Sequence, residues 1–259
     1  VRFTGSNAAA SRRAMSKSTA KARFEQAGVP TPKHVVITGP TAESQSKMGA
    51  TAGLSSSVFR ELSSFTAGQA SSGTRNEWHM PFQRAIKKLG YPMVIKPDAQ
   101  GSSLGVGLVR SSSELSTILA DSSRFGWPLL AEQYIEGREF TVTVLGRRVL
   151  QPLEITGCGD IFDYDSKYSG NKAEYHIPGD FKPITLRQLR TTALRAAIAL
   201  ETAGMIRVDL ILDRDGQAWV LEVNTLPGMT PGSLAPKAAR QIGWEMPDLC
   251  DWMLRDAIG

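Results

Sequence analysis

RVDLILDRDGQAWVLEVNTLPGMT, residues 207–230, is the stretch that decides the fold. Two apolar-rich runs flank Asp213-Arg214-Asp215-Gly216, a turn signal expected between the strands of a β-hairpin. Side chains alternate faces along a strand, so Arg207 and Asp209 share one face of the outgoing run. By the same rule Glu222 and Asn224 share one face of the return. The opposite faces carry Val208, Leu210 and Leu212, then Trp219, Leu221 and Val223, which are expected to face a core. Antiparallel pairing would gather two carboxylates, an amide oxygen and a guanidinium on one surface. Hard oxygen donors of this kind suit Mg²⁺, whose remaining positions go to water and phosphate oxygens. An amphipathic hairpin with a charged solvent face has the same pattern, and this stretch alone leaves both readings open.

A second cluster lies upstream. Val94-Ile95-Lys96-Pro97 reads as a short buried strand, followed by DAQGSSLGVG from Asp98 to Gly107. Glycines and serines after a strand-borne lysine can form a loop whose amides and hydroxyls surround phosphate oxygens. It is not a Walker A loop, because no Gly-Lys-Ser/Thr follows the glycines. The dinucleotide fingerprint fails as well, since Val109-Arg110-Ser111 opens no evident βαβ helix. A lysine on a buried strand needs a partner, because burying an unpaired ammonium is costly. A third cluster, LLAEQYIEGREFTVTVLG, spans Leu129 to Gly146. Its apolar strand ends in Glu132, Glu136 to Glu139 reads as a polar turn, and Phe140 to Leu145 as a strand. Such a connector can offer backbone groups to a flat heterocycle and a carboxylate to ribose hydroxyls; an acidic hairpin loop would look the same.

Together and in this order the clusters resemble the ATP-grasp enzymes, specifically the D-alanine–D-alanine ligase family. The strings that carry the resemblance are VIKPDAQGSSLGVG, AEQYIEGREFTV, FDYDSKY and RVDLILDRDGQAWVLEVNTLPGMTPGSLAP. It runs from Thr4-Gly5-Ser6 to the end, apart from one insertion. The implied fold class is α+β: an ATP-grasp fold of two α/β subdomains whose antiparallel sheets hold ATP between them. The expected division is an N-terminal segment at 1–16, a central subdomain at 17–137 and a C-terminal subdomain at 138–259. Family members carry a further N-terminal α/β domain of about a hundred residues, typical of a small domain. This chain begins with Val and has no counterpart to it, which reads as a fragment or a natural truncation.

Basic residues and no acidic ones between Val1 and Arg23 would also fit an organellar transit peptide. SKSTAKARFEQAGVPTP instead reads as a capped helix. Ser16 is the cap, Ala20, Phe24 and Ala27 lie on one side, Gly28 ends it and Pro30 follows. From about 40 to 75 small polar residues dominate, as expected of a surface insertion with one short helix near 57–65. Helices are also expected at Phe82–Leu89, Thr185–Ala203 and Met246–Ala257; in the second, Leu189, Ala193, Ala196, Ala197 and Leu200 have helical spacing.

The resemblance assigns roles residue by residue. Lys21 and Lys96 would contact ATP phosphates, with Ser102 and Ser103 closing over the γ-phosphate. Glu132, Gln133, Tyr134 and Ile135 would line the adenine pocket and Glu139 would hold the ribose. Asp209, Glu222 and Asn224 would hold two Mg²⁺ (or Mn²⁺) ions. Arg207 and the Gly228 N–H would stabilise an oxyanion, and Ser233 and Leu234 would bind the second substrate's carboxylate. Lys167 and Tyr168 would reach the site from a mobile loop that excludes water, Lys167 contacting ATP and Tyr168 joining Ser102 in a hydrogen-bonded set that favours a dipeptide product. The implied reaction joins two D-alanines through an acyl phosphate, for peptidoglycan precursor synthesis in cell-wall formation. A nucleotide-binding remnant without ligase activity, and a ligase for another acid and amine, are the alternatives.

Composition is compatible. The 259 residues are 41% hydrophobic with a net charge of +5, as in a globular protein able to bury a core. The basic residues are scattered, so small-molecule substrates (ATP and D-alanine) are expected rather than nucleic acid. The sequence has no apolar run near 18 residues, which argues against a membrane partner. Two cysteines, Cys158 and Cys250, fall in no metal or redox spacing and suit a reducing, cytoplasmic compartment. A homodimer is left open.

Overall fold

The computed structural model describes residues 2–39, 79–157 and 174–259. The expected insertion with its short helix at 57–65, and the loop bearing Lys167 and Tyr168, lie outside the described residues. The chain forms two compact units. The first comprises residues 2–32, 135–157 and 174–259, and the second 33–39 and 79–134.

The first unit is built on a six-stranded antiparallel sheet. Its strands are β5 (Gly137–Leu145), β6 (Arg148–Val149), β7 (Leu153–Thr156), β8 (Glu174–His176), β9 (Met205–Asp213) and β10 (Ala218–Asn224), ordered β10-β9-β5-β7-β8 with β6 paired to β5. The expected hairpin is β9–β10. At its tip Asp213 Oδ1 accepts from Asp215 N at 3.0 Å and Gln217 N at 2.8 Å, and Gly216 has φ +82°. Trp219 Nε1 donates to Asp213 Oδ2 at 2.7 Å. That bond is the main reason the Asp213 carboxyl is held below its ordinary range.

One expectation about the hairpin is corrected. Val208, Leu210 and Leu212 are buried, but on the return strand Ala218, Val220 and Val223 are buried, not Trp219 and Leu221. The register shifts between Val220, opposite Leu210, and Glu222, opposite Asp209. This bulge inserts one residue and changes which parity faces inward. Strict alternation therefore fails for Trp219 and Leu221 while remaining right for Glu222, Val223 and Asn224.

The sheet's inner face packs on the helix α5 (Pro183–Ala199). Leu189, Ala193, Ala196 and Ala197 of the helix, with Leu200 after it, meet Phe140, Val142, Val144, Val208, Leu210 and Leu212. Each fully buried Leu, Val or Phe among these contributes about 1.5–3 kcal/mol of transfer free energy, and each alanine methyl less. At one end of the opposite face, α6 (Leu234–Arg240) and α7 (Met246–Ile258) enclose Leu145, Leu153 and Met205. The N-terminal residues belong to this unit too. α1 (Ala8–Met15) buries Ala10 and Ala14, and α2 (Lys17–Gln26) starts at Ser16, whose Oγ accepts from Thr19 N at 3.3 Å. Residues 17–32 were expected in the central subdomain; they pack here because Phe24 and Ala20 join the core of α5 and β9. Ala27, expected on the packed side, is exposed.

The second unit holds a four-stranded sheet, β1-β4-β2-β3, all antiparallel: β1 (His34–Ile37), β2 (Met93–Pro97), β3 (Gly107–Val109) and β4 (Leu129–Gln133). The helices α3 (His79–Leu89) and α4 (Ser112–Ser123) cover one face through Phe82, Ala85, Leu115 and Leu119. A helix opens after Ser111, but the strand before it has an antiparallel neighbour, so the dinucleotide βαβ fold is absent from this sheet, as the sequence reading expects. The expected polar turn at Glu136–Glu139 is shorter, because Gly137, Arg138 and Glu139 begin β5. They pair with Asp213, Leu212 and Ile211.

Gly137 is needed there: a Cβ would lie 2.3 Å from the Leu212 carbonyl oxygen. Gly137→Ala is expected to cost about 1–3 kcal/mol, as overpacking against backbone does. A urea titration checks it; an unchanged midpoint would show that the strand can shift aside.

Candidate active site

The face of the six-stranded sheet turned away from α5 carries the candidates of the first unit. Directly paired residues share a face. Glu222 pairs with Asp209, Asn224 with Arg207, Arg207 with Thr143, Asp209 with Thr141 and Ile211 with Glu139. The structure thus brings Arg207, Asp209, Glu222, Asn224 and Glu139 to one face, as the alternation predicts.

Arg207 grips Asp209 with a two-toothed bond: Nε donates to Oδ1 at 3.0 Å and Nη2 to Oδ2 at 2.8 Å. Thr141 Oγ1 donates to the same Oδ1 at 2.7 Å. The charge of Asp209 is the main reason the Arg207 guanidinium holds its proton more tightly than usual, with Glu222 and Tyr175 adding to it. Lys17 Nζ lies 3.9 Å from Glu222 Oε2. Two cations and two carboxylates are therefore interleaved, and the group balances its own charge.

Lys17, which the sequence reading did not single out, lies beside the acids. Lys21, the expected phosphate contact, is fully buried, and its Nζ donates to Thr31 Oγ1 at 2.7 Å and to the Pro32 carbonyl at 3.4 Å. Thr31 Oγ1 in turn donates to the Val220 carbonyl at 2.8 Å, beside the bulge. Lys21 is thus bound into the wall, and Lys17, one turn earlier on α2, is the lysine beside the acids.

Asp209, Glu222 and Asn224 offer two carboxylates and an amide oxygen. Among the described residues no set of three His, Cys, Asp or Glu gathers as a metal cage. Mg²⁺ commonly takes one or two carboxylates and fills its other positions with water and phosphate, so this donor set fits it. Asn224 Oδ1 also accepts from Leu226 N at 2.9 Å, which orients the amide.

Downstream, Ser233 closes a tight turn. Its Oγ accepts from Thr230 N at 3.1 Å and lies 2.8 Å from Thr230 Oγ1, and its N donates to the Thr230 carbonyl at 2.9 Å. Gly228 faces this hydroxyl, since a Cβ there would be 2.6 Å from Ser233 Oγ. Leu234 opens α6 and is half-buried.

In the second unit Lys96 and Glu132 form a buried ion pair, Nζ to Oε2 2.8 Å. Glu132 sits opposite Val94, which places it on the same face as Lys96, away from the helix-covered core. Gln133 ends β4, Tyr134 is half-buried and Ile135 is 8% exposed. In the loop after β2, Ser102 and Ser103 have φ of 55° and 57°. Consecutive left-handed residues other than glycine are uncommon and concentrate where backbone amides are turned to a purpose.

The comparisons with known proteins agree with one another. Residues 60–255 match the family model described as D-ala D-ala ligase C-terminus. The chain belongs to the D-alanine–D-alanine ligase family. It is 33% identical to the D-alanine–D-alanine ligase of Pseudomonas entomophila over 258 residues, covering 100% of this chain and 69% of the relative. It is 39% identical to the enzyme of that name from Synechococcus sp. over 180 residues, which is 69% of this chain and 56% of the relative. The chain thus spans part of the length of these ligases. Among solved structures, the D-alanine–D-alanine ligase of Bacillus anthracis superposes with TM-score 0.75 at 27% identity, over 100% of this chain and 72% of that one. The same enzyme complexed with ATP gives TM-score 0.71 at 24% identity, over 100% of this chain and 70% of that one. The fold is the α+β fold of these ATP-grasp ligases.

Replacing Arg207 with Met removes the guanidinium from both Asp209 oxygens. Breaking one partner of a buried pair costs about 3–5 kcal/mol, because the remaining charge stays desolvated. Urea unfolding of Arg207→Met should show a loss of that order; a loss below about 1 kcal/mol would mean that water reaches Asp209 freely.

Proposed function

We propose that this chain carries the chemistry of an ATP-dependent ligase that joins two D-alanines into D-alanyl-D-alanine, a building block for peptidoglycan in the cytoplasm. The observation that carries the reading is the Arg207, Asp209 and Glu222 cluster on one sheet face, in a chain of the D-alanine–D-alanine ligase family.

A carboxylate is a poor electrophile, so the first D-alanine must be activated. Its carboxylate oxygen attacks the γ-phosphorus of ATP, the bond to ADP breaks, and an acyl phosphate forms. The amine of the second D-alanine then attacks the carbonyl carbon, and phosphate leaves. Lys96 is assigned to the ATP phosphates, and Lys17 to the phosphate role that the sequence suggested for Lys21. Ser102 and Ser103 present their turned backbone to the γ-phosphate. Gln133, Tyr134 and Ile135 contact adenine with Glu132, whose carboxylate also holds Lys96 in place, and Glu139 takes the ribose hydroxyls. Asp209, Glu222 and Asn224 hold divalent cations. When bound, Mg²⁺ neutralises charge on the phosphoryl group in transfer. Arg207 and the Gly228 N–H stabilise the oxyanion that develops as the amine attacks. Ser233 and Leu234 fix the carboxylate of the second D-alanine. Lys167 and Tyr168 are assigned to shielding the acyl phosphate from water.

Nucleotide binding without ligation is the second reading, for which the match of residues 60–255 to a model of the ligases' C-terminal part speaks. One assay separates the two. With ATP and D-alanine, the chain is expected to release phosphate and form D-alanyl-D-alanine, detected by mass spectrometry. Asp209→Ala or Glu222→Ala should lower that rate at least a hundredfold, an order typical for removing transition-state charge stabilisation. ATP binding with no product would leave the second reading. Lys96→Met should weaken ATP binding by roughly tenfold or more in calorimetry, a loss of about 1.4 kcal/mol, and unchanged affinity would remove Lys96 from the phosphate site.

A further inference from the structure

A pair of residues outside every role assigned above stands on the same sheet face. Tyr175 of β8 pairs with Ile155 of β7, which pairs with Glu139 of β5, which pairs with Ile211 of β9. Directly opposed residues share a face, so Tyr175 stands on the face that bears Glu139, Thr141, Arg207 and Asp209. Above the Tyr175 ring lies the ammonium of Lys237, 4.2 Å from the ring centroid. An aromatic face attracts a cation at this distance and fixes its position.

Lys237 reaches the face from α6. It is four residues after Ser233, its N donates to the Ser233 carbonyl at 3.1 Å, and residues so spaced lie on one side of a helix. The neighbouring Ala235, Pro236, Ala238 and Ala239 are buried, which holds the helix and leaves Lys237 half-buried rather than free in solvent. A cation on a helix packed over the sheet, one turn from Ser233 and braced on a ring, is placed to attract a small anion.

We infer that Lys237, braced on the ring of Tyr175, is a further anchor for the carboxylate of the acceptor amino acid. The inference rests on the ligase reading above and adds to it a second positive charge for the acceptor, beside the hydroxyl of Ser233. Arg207 is engaged with Asp209, so a separate cation relieves it from holding the acceptor's carboxylate and leaves it for the oxyanion. Tyr175 is a positioning residue, acting through Lys237.

The test is steady-state kinetics on the full chain with ATP and D-alanine. Two D-alanines bind at different sites, so the saturation curve yields a donor and an acceptor constant. In Lys237→Met the acceptor constant should rise by roughly tenfold, equivalent to about 1.4 kcal/mol, with kcat within about twofold. The donor constant and the KM for ATP should not move. Lys237→Arg, which keeps a cation that stacks on aromatic rings, should restore most of the loss. Tyr175→Phe keeps the ring and should leave the acceptor constant near that of the parent, whereas Tyr175→Leu should raise it as Lys237→Met does. An unchanged acceptor constant in Lys237→Met, with an active parent, overturns the inference and leaves the ligase reading standing. A uniform fall in kcat and in affinity for ATP in Lys237→Met and Tyr175→Leu makes the pair a structural prop and also overturns it. A parent chain without D-alanine-dependent ATP turnover removes the ligase reading, and the inference falls with it.

Discussion

The grip of Arg207 on Asp209 is the interaction on which the functional face depends. Neither group could be buried alone, because desolvating a single charge costs far more than the strand contributes. Together, with Thr141 donating to Asp209, they sit in the interior strand β9, flanked by β5 and β10. Their placement dictates what the neighbouring strands must carry. β5 supplies threonines at 141 and 143, small and able to donate, opposite Asp209 and Arg207. β10 supplies Glu222 and Asn224 opposite the same two residues. Alternation then turns Val208, Leu210 and Leu212 inward, where α5 buries them. One strand thus builds a core and a charged face at once.

Charge balance follows from that arrangement. Asp209 is matched by Arg207 and Glu222 by Lys17, so the face is close to neutral by itself. A divalent cation alone would meet carboxylates already partly satisfied. A polyanion entering with its cation would bring charge for the lysine and the arginine as well, so on the proposed reading cation and nucleotide would favour one another. The buried Lys96–Glu132 pair of the second unit has the same logic: each makes the other's burial tolerable and holds it in one orientation.

Much of this was legible in the sequence where a local rule governs. The Asp213–Gly216 turn, the helical spacing of Leu189, Ala193 and Ala196, and the Ser16 cap each follow from chemistry within a few residues, and each is present. The gathering of Arg207, Asp209, Glu222 and Asn224 was legible from alternation. What was not legible depends on contacts distant in sequence. The bulge before Glu222 is stabilised from outside the hairpin, where Val220 N donates to the Pro30 carbonyl and the Val220 carbonyl accepts from Thr31. Lys17 and Lys21 are one turn apart on one helix, and spacing cannot tell which reaches Glu222 and which is taken by Thr31. Tyr175 and Lys237 stand 62 positions apart and share no motif, so only the sheet order and the packing of α6 bring them together.

The central physical claim is that two acids on adjacent strands jointly hold a divalent cation alongside nucleotide. Water-proton relaxation with Mn²⁺ measures it most directly, because an ion held on the slowly tumbling protein enhances relaxation more than Mn²⁺–ATP in solution. With ATP present, the parent chain should give a marked enhancement, and a variant carrying both Asp209→Asn and Glu222→Gln should fall to the level of Mn²⁺–ATP alone. Equal enhancement in the two proteins would contradict the claim, since the ion would then be held elsewhere.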